Sequence, residues 1–261
     1  MFKFMLLILF ISGAVFAAYQ MYDMASEYRA GEQIYTQLQK DMVVSDVPAP
    51  VTEPVQQVTL PATDPADFVA AYDINIPSVN FQQLEMQNPD TVGWVYIEDT
   101  NINYPVVQGT DNRHYVSTLF DGSVNQAGSI FMDFRNNPEI KDIHTILYGH
   151  NMRNKTMFAD ILNYQSQEYY EAHPVGIYLT KDKSFVFEIV AGYVASVADA
   201  AWQLEFVNEE DVDIWLKDAM ARTSFQSRIE PQTGDQYITL STCSYEFADA
   251  RFVLVGVLLE I

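Results

Sequence analysis

The chain holds one cysteine, few basic residues and few histidines, and its first stretch lacks charge almost entirely. With Cys243 alone, no intramolecular disulfide can form. A solitary thiol is either buried and inert or kept for its reactivity. The four histidines are scattered, and no pair combines ligand spacing with a further Cys or His. No metal site and no cofactor can therefore be read. Lys and Arg number 14 against 35 Asp and Glu, for a formal net charge of −21. Phosphate binding needs a basic footprint, so nucleic acid is excluded as a partner. Docking of the soluble part on anionic lipid is disfavoured for the same reason. The surplus acid reads as a solvated surface that keeps the protein soluble, or as a field that steers a cationic or amine-bearing substrate.

What is present is apolar and aromatic. Of the 261 residues, 49% are hydrophobic and 13% aromatic, with Tyr and Phe at 16 each, a composition that can fill a core and favours strands. The length allows one or two domains. From Phe4 to Tyr22 no residue is charged, Lys3 precedes the run, and Asp23 and Glu27 follow it. This is close to the ~20 residues that span a bilayer as a helix. The Lys in front orients it N-in, C-out. Val15-Phe16-Ala17-Ala18 offers a competing signal-peptide cleavage site. The length of the run and the aromatics near its end favour an uncleaved anchor over 1–22. Both readings export the rest of the chain. Over 23–66 a helical stretch, with Met24, Tyr28, Ile34, Leu38 and Met42 at loose helical intervals, gives way to a linker. There Pro48, Pro50, Pro54, Pro61 and Pro65 punctuate a segment without Lys or Arg, which reads as a semi-rigid spacer. There is no internal repeat.

The signals from 67 to 261 are those of one compact domain. Strands are expected over 93–97, 101–107, 128–134, 145–148, 176–180, 184–196, 236–242 and 252–261, separated by turn residues. That pattern suggests an all-β barrel or sandwich decorated by helices. One short helix is expected over Thr156–Tyr164. A clearer one runs over Asn208–Ala221, with Asn208 as N-cap and Glu209, Glu210 and Asp211 in its first turn. Its stripe of Val212, Trp215, Leu216, Ala219 and Met220 reads as core packing rather than a ligand box.

The chemistry concentrates near the end of the chain. Tyr237–Cys243 is a strand that terminates on the only thiol, and Arg251 opens the next, very apolar strand. A short connection would bring the two together. A guanidinium near a thiol favours the thiolate and can donate to a developing oxyanion. Thr145–His150 is another strand that ends on a reactive residue, and cysteine catalysis needs an imidazole in reach of the thiol. His114, His144 and His173 read as surface or turn histidines. Three readings stay open on the residues alone: a cysteine transferase, a cysteine hydrolase, and a tethered binding module with an inert Cys243. A papain-like order is disfavoured, because His150 precedes Cys243.

Several segments together resemble the class B sortases, the cell-wall cysteine transpeptidases of Gram-positive bacteria. Thr239-Leu240-Ser241-Thr242-Cys243 with Arg251 looks like the signature T-L-x-T-C…R, and Thr145–His150 looks like the matching histidine strand. Asn88–Trp94, Asn103–Gly109 and Gly128–Arg135 resemble class B in the same order. The likeness runs from about residue 68 to 261. It implies a closed eight-stranded barrel with N-terminal helices and a long helix between strands six and seven, which Asn208–Ala221 fits. It implies cleavage after Thr in a C-terminal sorting motif of exported surface proteins, through a thioester. Transfer would then go to a peptidoglycan amine, or to a pilin lysine in polymerising relatives. Cys243 would be nucleophile, His150 acid and base, and Arg251 oxyanion partner, without metal. The N-x-x-Y-aliphatic motif makes Asn112 and Val116 candidates for the substrate groove, with Ser241, Ala201 and Trp202. Alanine at 201 departs from the bulkier residue of relatives, and Trp202 could equally be core. The implied location is the cell membrane, single-pass, with the catalytic domain outside. Asn88-Pro89-Asp90-Thr91 mimics an N-P-x-T sorting motif but reads as a helix-to-strand turn.

Overall fold

The computed structural model describes residues 2–44, 74–232, 234–244 and 246–261. A long helix, α1 (Phe2–Met42), leads into β1 (Val43–Val44), which pairs with β2 (Ser78–Val79). The short helix α2 (Phe81–Gln87) follows, capped by the Asn80 side chain. Then come the barrel strands β3 (Thr91–Tyr96), β4 (Asn103–Val107), β5 (Ile130–Met132) and β6 (His144–Tyr148). After α3 (Gln167–Ala172), β7 (Val175–Leu179) and β8 (Ser184–Ser196) continue the barrel. The helix α4 (Glu209–Arg222) precedes β9 (Gln236–Cys243) and β10 (Ala250–Glu260). The eight strands close in the order β10-β8-β7-β3-β4-β5-β6-β9. Closure removes exposed sheet edges.

Within the barrel, β4–β5 and β6–β9 are parallel and the other pairings antiparallel. Trp94, Tyr178, Phe185, Phe187 and Phe252 are among its largest fully buried side chains. The helix α4 lies between the sixth and seventh barrel strands. Asn208 caps it by accepting from the Asp211 amide at 3.0 Å, and Val212, Trp215, Leu216 and Ala219 are buried as the apolar stripe requires. They pack with Tyr193, Tyr237, Val253 and Val255 from the strands beneath, in a second core on the outside of the barrel wall.

One element departs from the sequence reading. The helix expected over Thr156–Tyr164 is a 3₁₀ run over Ala159–Gln165, followed by α3, which the sequence did not announce. The stretch after residue 23 is helical, and its end is docked. Tyr35, Leu38 and Met42 are buried against the barrel. The Tyr35 hydroxyl donates to the Gly128 carbonyl at 2.6 Å, and Gln39 Nε2 donates to the Asn103 carbonyl at 2.6 Å. Burial of Leu38 and Met42 contributes about 1.5–3 kcal/mol each. The Pro-rich spacer lies outside the described residues beyond Val44. Among the described residues no helix is long and apolar enough to cross a membrane. The early part of α1 exposes Phe10, Val15, Phe16, Tyr19 and Tyr22.

Candidate active site

The site follows from strand register. On β9, alternation places Tyr237, Thr239, Ser241 and Cys243 on one face. Antiparallel pairing sets Arg251 of β10 directly across from Cys243, and Val253 across from Ser241. Directly opposed residues share a face. The parallel pairing of β6 matches His144 with Tyr237 and Tyr148 with Ser241. The same offset carries the pairing on past the strand ends. The Gly149 amide donates to the Ser241 carbonyl at 3.1 Å, the Thr242 hydroxyl donates to the Gly149 carbonyl at 2.7 Å, and Asn151 Nδ2 donates to the Cys243 carbonyl at 3.1 Å. His150 thus leaves β6 beside Cys243. Three neighbouring strands deliver the thiol, the imidazole and the guanidinium to one rim.

That shared face is roofed over most of its length. The helix α4 covers it at Tyr237, Val253 and Val255. The Trp202 indole reaches Ser241 Oγ at 3.2 Å. Beyond Ser241 the roof ends, and Cys243, His150 and Arg251 are half-buried. A thiol that is neither sealed nor free in solvent suits a nucleophile rather than an inert core cysteine.

The imidazole is held by backbone. His150 Nε2 lies 2.7 Å from the Val116 carbonyl. A carbonyl only accepts, so Nε2 carries the hydrogen and Nδ1 is left as the base. Just before it, Gly149 is packed so closely that a Cβ there would run into the Ile130 side chain and stand 2.8 Å from the Phe158 ring. Arg251 Nη1 donates to its neighbour's carbonyl at Ala250, at 3.0 Å. Among the described residues no ion pair engages its guanidinium.

The sequence-derived groove residues fall into different places. Val116 is 40% exposed, and its carbonyl faces His150. Asn112 is half-buried and spends its amide internally: Nδ2 donates to Asp133 Oδ2 at 2.9 Å, and Oδ1 accepts from the Phe134 amide at 3.0 Å. Asp133 is fully buried and also takes a two-point clamp from Arg135 and a bond from the Tyr148 hydroxyl. Burial alone would raise the Asp133 carboxyl, but Arg135, Asn112 and Tyr148 together hold it below the ordinary range. Ser241 is buried beneath half-buried Trp202. Ala201 is buried within the cluster under α4, which explains a small residue at that position.

One histidine reading is corrected. His144 is neither a surface nor a turn residue; it is fully buried. Nδ1 lies 2.7 Å from the Gln203 carbonyl and Nε2 lies 2.7 Å from the Thr239 hydroxyl, and the ring stacks at a tilt on Trp215. Burial lowers its pKa to about 4. His173 caps α3 and touches the Glu98 carbonyl, and His114 is exposed. Asn88 is the hinge of a turn from α2 to β3: its side chain takes the Asp90 amide and donates to the Phe120 carbonyl, as a structural role for Asn88–Thr91 requires. Asn151, Asp133 and Gln203 went unnoticed in the sequence. They are polar residues in ordinary loops, and only the strand register shows what they touch.

Comparison with known proteins agrees with the fold. A family described as Sortase domain matches residues 95–259. A Sortase B of Listeria monocytogenes is 34% identical over 201 residues, covering 74% of this chain and 82% of the relative. A Sortase B of Staphylococcus aureus is 32% identical over 183 residues, covering 69% and 75%. A solved Staphylococcus aureus sortase B superposes with a TM-score of 0.66, at 32% identity, over 69% of this chain and 85% of that one. The chain belongs to the sortase family, as a class B sortase transpeptidase.

Proposed function

We propose that this sortase cleaves a C-terminal sorting motif of exported proteins after Thr and joins the new carboxyl end to an amine of peptidoglycan. The observation that carries the reading is the strand register, which sets Arg251 across from Cys243 and brings the end of the His150 strand alongside it. The solved Staphylococcus aureus relative is a substrate complex, and another solved sortase B is complexed with triglycine, a peptide with a free amine. Both favour a peptide donor and an amine acceptor here.

The geometry suits a two-step transfer. Cys243 Sγ, its proton taken by His150, attacks the Thr carbonyl carbon. The oxygen becomes an oxyanion that the Arg251 guanidinium stabilises. Collapse expels the leaving amine, which receives the proton from the imidazole, and a thioester remains. The incoming amine then attacks the thioester, gives its proton to His150, and the thiolate leaves with that proton returned. Val116 and Trp202 would border the acyl chain, with Ser241 holding Trp202 from beneath. Asn112 and Ala201 would act behind this wall, one on the Val116 loop and one under Trp202. The apolar run 4–22 would hold the domain on the outer side of the cell membrane.

The test incubates the full chain with quenched peptides carrying N-P-x-T and related motifs, with and without an amine such as a stem peptide. Cleavage after Thr, ligation to the amine, and loss of both in Cys243→Ala are expected. A lysine-bearing pilin peptide accepted in preference to stem peptide would reassign the enzyme to pilus polymerisation. Cleavage with no amine incorporated from either would make it a cysteine peptidase. Full activity in Cys243→Ala would overturn the assignment.

A further inference from the structure

The short segment 199–203, between β8 and α4, carries Trp202 and is pinned at both ends. At its start, Asp199 Oδ2 accepts from Arg222 Nη2 at 2.9 Å and from the Ser196 amide at 2.9 Å. Arg222 Nη2 also donates to the Val194 carbonyl at 2.7 Å, so the last turn of α4 grips the end of β8. At its finish, the Gln203 carbonyl takes the His144 Nδ1 hydrogen at 2.7 Å. His144 Nε2 in turn accepts from the Thr239 hydroxyl at 2.7 Å. A carbonyl can only accept, so these two contacts select one neutral tautomer and use both ring nitrogens. Between the pins, Trp202 reaches Ser241, two residues before Cys243.

One imidazole therefore joins three pieces of chain. Its own strand, β6, ends beside His150. Thr239 lies on β9, which ends on Cys243. Gln203 is the neighbour of Trp202. A fully buried polar bridge adds little stability beyond what a well-packed apolar side chain would give. What it supplies is a fixed distance between the segments. We propose that His144 is a positioning residue of the transfer reaction: by bridging Gln203 and Thr239 it seats the Trp202 wall against the strand that carries Cys243, and so sets the width of the acyl groove. This rests on the reading of Trp202 and Ser241 as that wall.

A double-variant cycle on steady-state peptide cleavage tests it, using the full chain and peptides that differ in the residue before Thr. His144→Leu removes both bonds and keeps an apolar ring-sized volume. KM should rise about three- to tenfold, the size of a lost buried hydrogen bond, with kcat changed by less than about twofold. Preference among the peptides should narrow or shift. Trp202→Ala should do the same, and the double variant should be no worse than Trp202→Ala alone, because both act through one element. His144→Gln offers a donor and an acceptor again and should recover most of the loss, which also serves if the leucine variant does not fold. Additive effects of His144 and Trp202, or a folded His144→Gln that gains nothing over His144→Leu, would make His144 a stability residue only. An unchanged KM in Trp202→Ala would instead sink the wall itself, whatever His144 does.

Discussion

The two ends of β6 lead to the same side chain and opposite fates. His144 opens the strand and His150 follows its last residue by two, with alternation placing both toward the face that α4 roofs. At the covered end, His144 has both nitrogens engaged and its ring against Trp215. At the open end, half-buried His150 has one nitrogen on a backbone carbonyl. The two share a residue type and a strand face and differ in cover: α4 roofs His144 and ends short of His150. Thr239 and Ser241 show the same gradient on β9, each polar and buried beneath a partner, until Cys243 emerges past Trp202.

The sharpest way to break this comparison is to delete each imidazole. His150→Ala should lower kcat about 10²–10⁴-fold, the span of a lost acid–base group. Its melting midpoint should stay within about two degrees of the parent, since a half-buried rim side chain with one bond holds little of the core. A parallel measurement of midpoint and turnover decides it. If His150→Ala melted far earlier and kept its turnover, the open end would be structural and the roles of the two ends would be exchanged.

Acid separates the two ends next. The buried His144 has a pKa lowered to about 4 by burial, against about 6.5 in an unfolded chain. The Gln203 carbonyl that accepts from the ring, and then the Asp133 and Asp142 carboxylates, act the other way, favouring the imidazolium, but less strongly than burial opposes it. The folded state therefore refuses a proton that the unfolded state accepts. Stability from this group is full above the unfolded value and falls as pH drops toward 4, by roughly 3 kcal/mol in all. Asp133 and Asp199, whose carboxyls are held low, also lose stability on acidification. They are common to any variant at 144. Urea midpoints between pH 7 and 4 for the parent and His144→Gln isolate the histidine: the gap should narrow or reverse toward pH 4. Parallel curves would mean that His144 takes up its proton in the folded state without cost.

The sequence was legible where the pattern is local. The strand that ends on Cys243, the cap at Asn208 and the stripe of α4 all follow from neighbours within a few residues, and the structure has them, while the strand expected to end on His150 stops two residues short of it, at Tyr148. Barrel closure and the long helix between the sixth and seventh strands came with the family resemblance, since no local pattern says which strands pair. His144 was misread because its own neighbours, Asp142 and Ile143, look like a turn. What buries it is Trp215 and Gln203, brought in from far along the chain by α4 and the segment before it. Asn112 shows the same limit. Its motif suggested a groove residue, while its contacts tie the Val116 loop to Asp133. The docking of α1 through Tyr35 was equally hidden, because a loose helical spacing does not name the surface it meets.

The gentlest probe acts on the roof alone. Asn208 caps α4, far in sequence from both histidines, and its side chain accepts from the Asp211 amide in the first turn. The acidic first turn of Glu209, Glu210 and Asp211 already favours the helix dipole, so the helix should survive loss of the cap. Asn208→Ala should cost about 1 kcal/mol of stability, the usual value for such a cap. Fraying at this end loosens the cover over Trp215 and hence over His144, while the rim at Cys243 is held by β9 and β10 pairing and does not depend on the cap. Hydrogen exchange should therefore speed up in α4 and at the start of β6, with kcat unchanged. If kcat fell with the exchange, the roof would reach further along the face than its contacts indicate, and covered and open ends would be one mechanical unit.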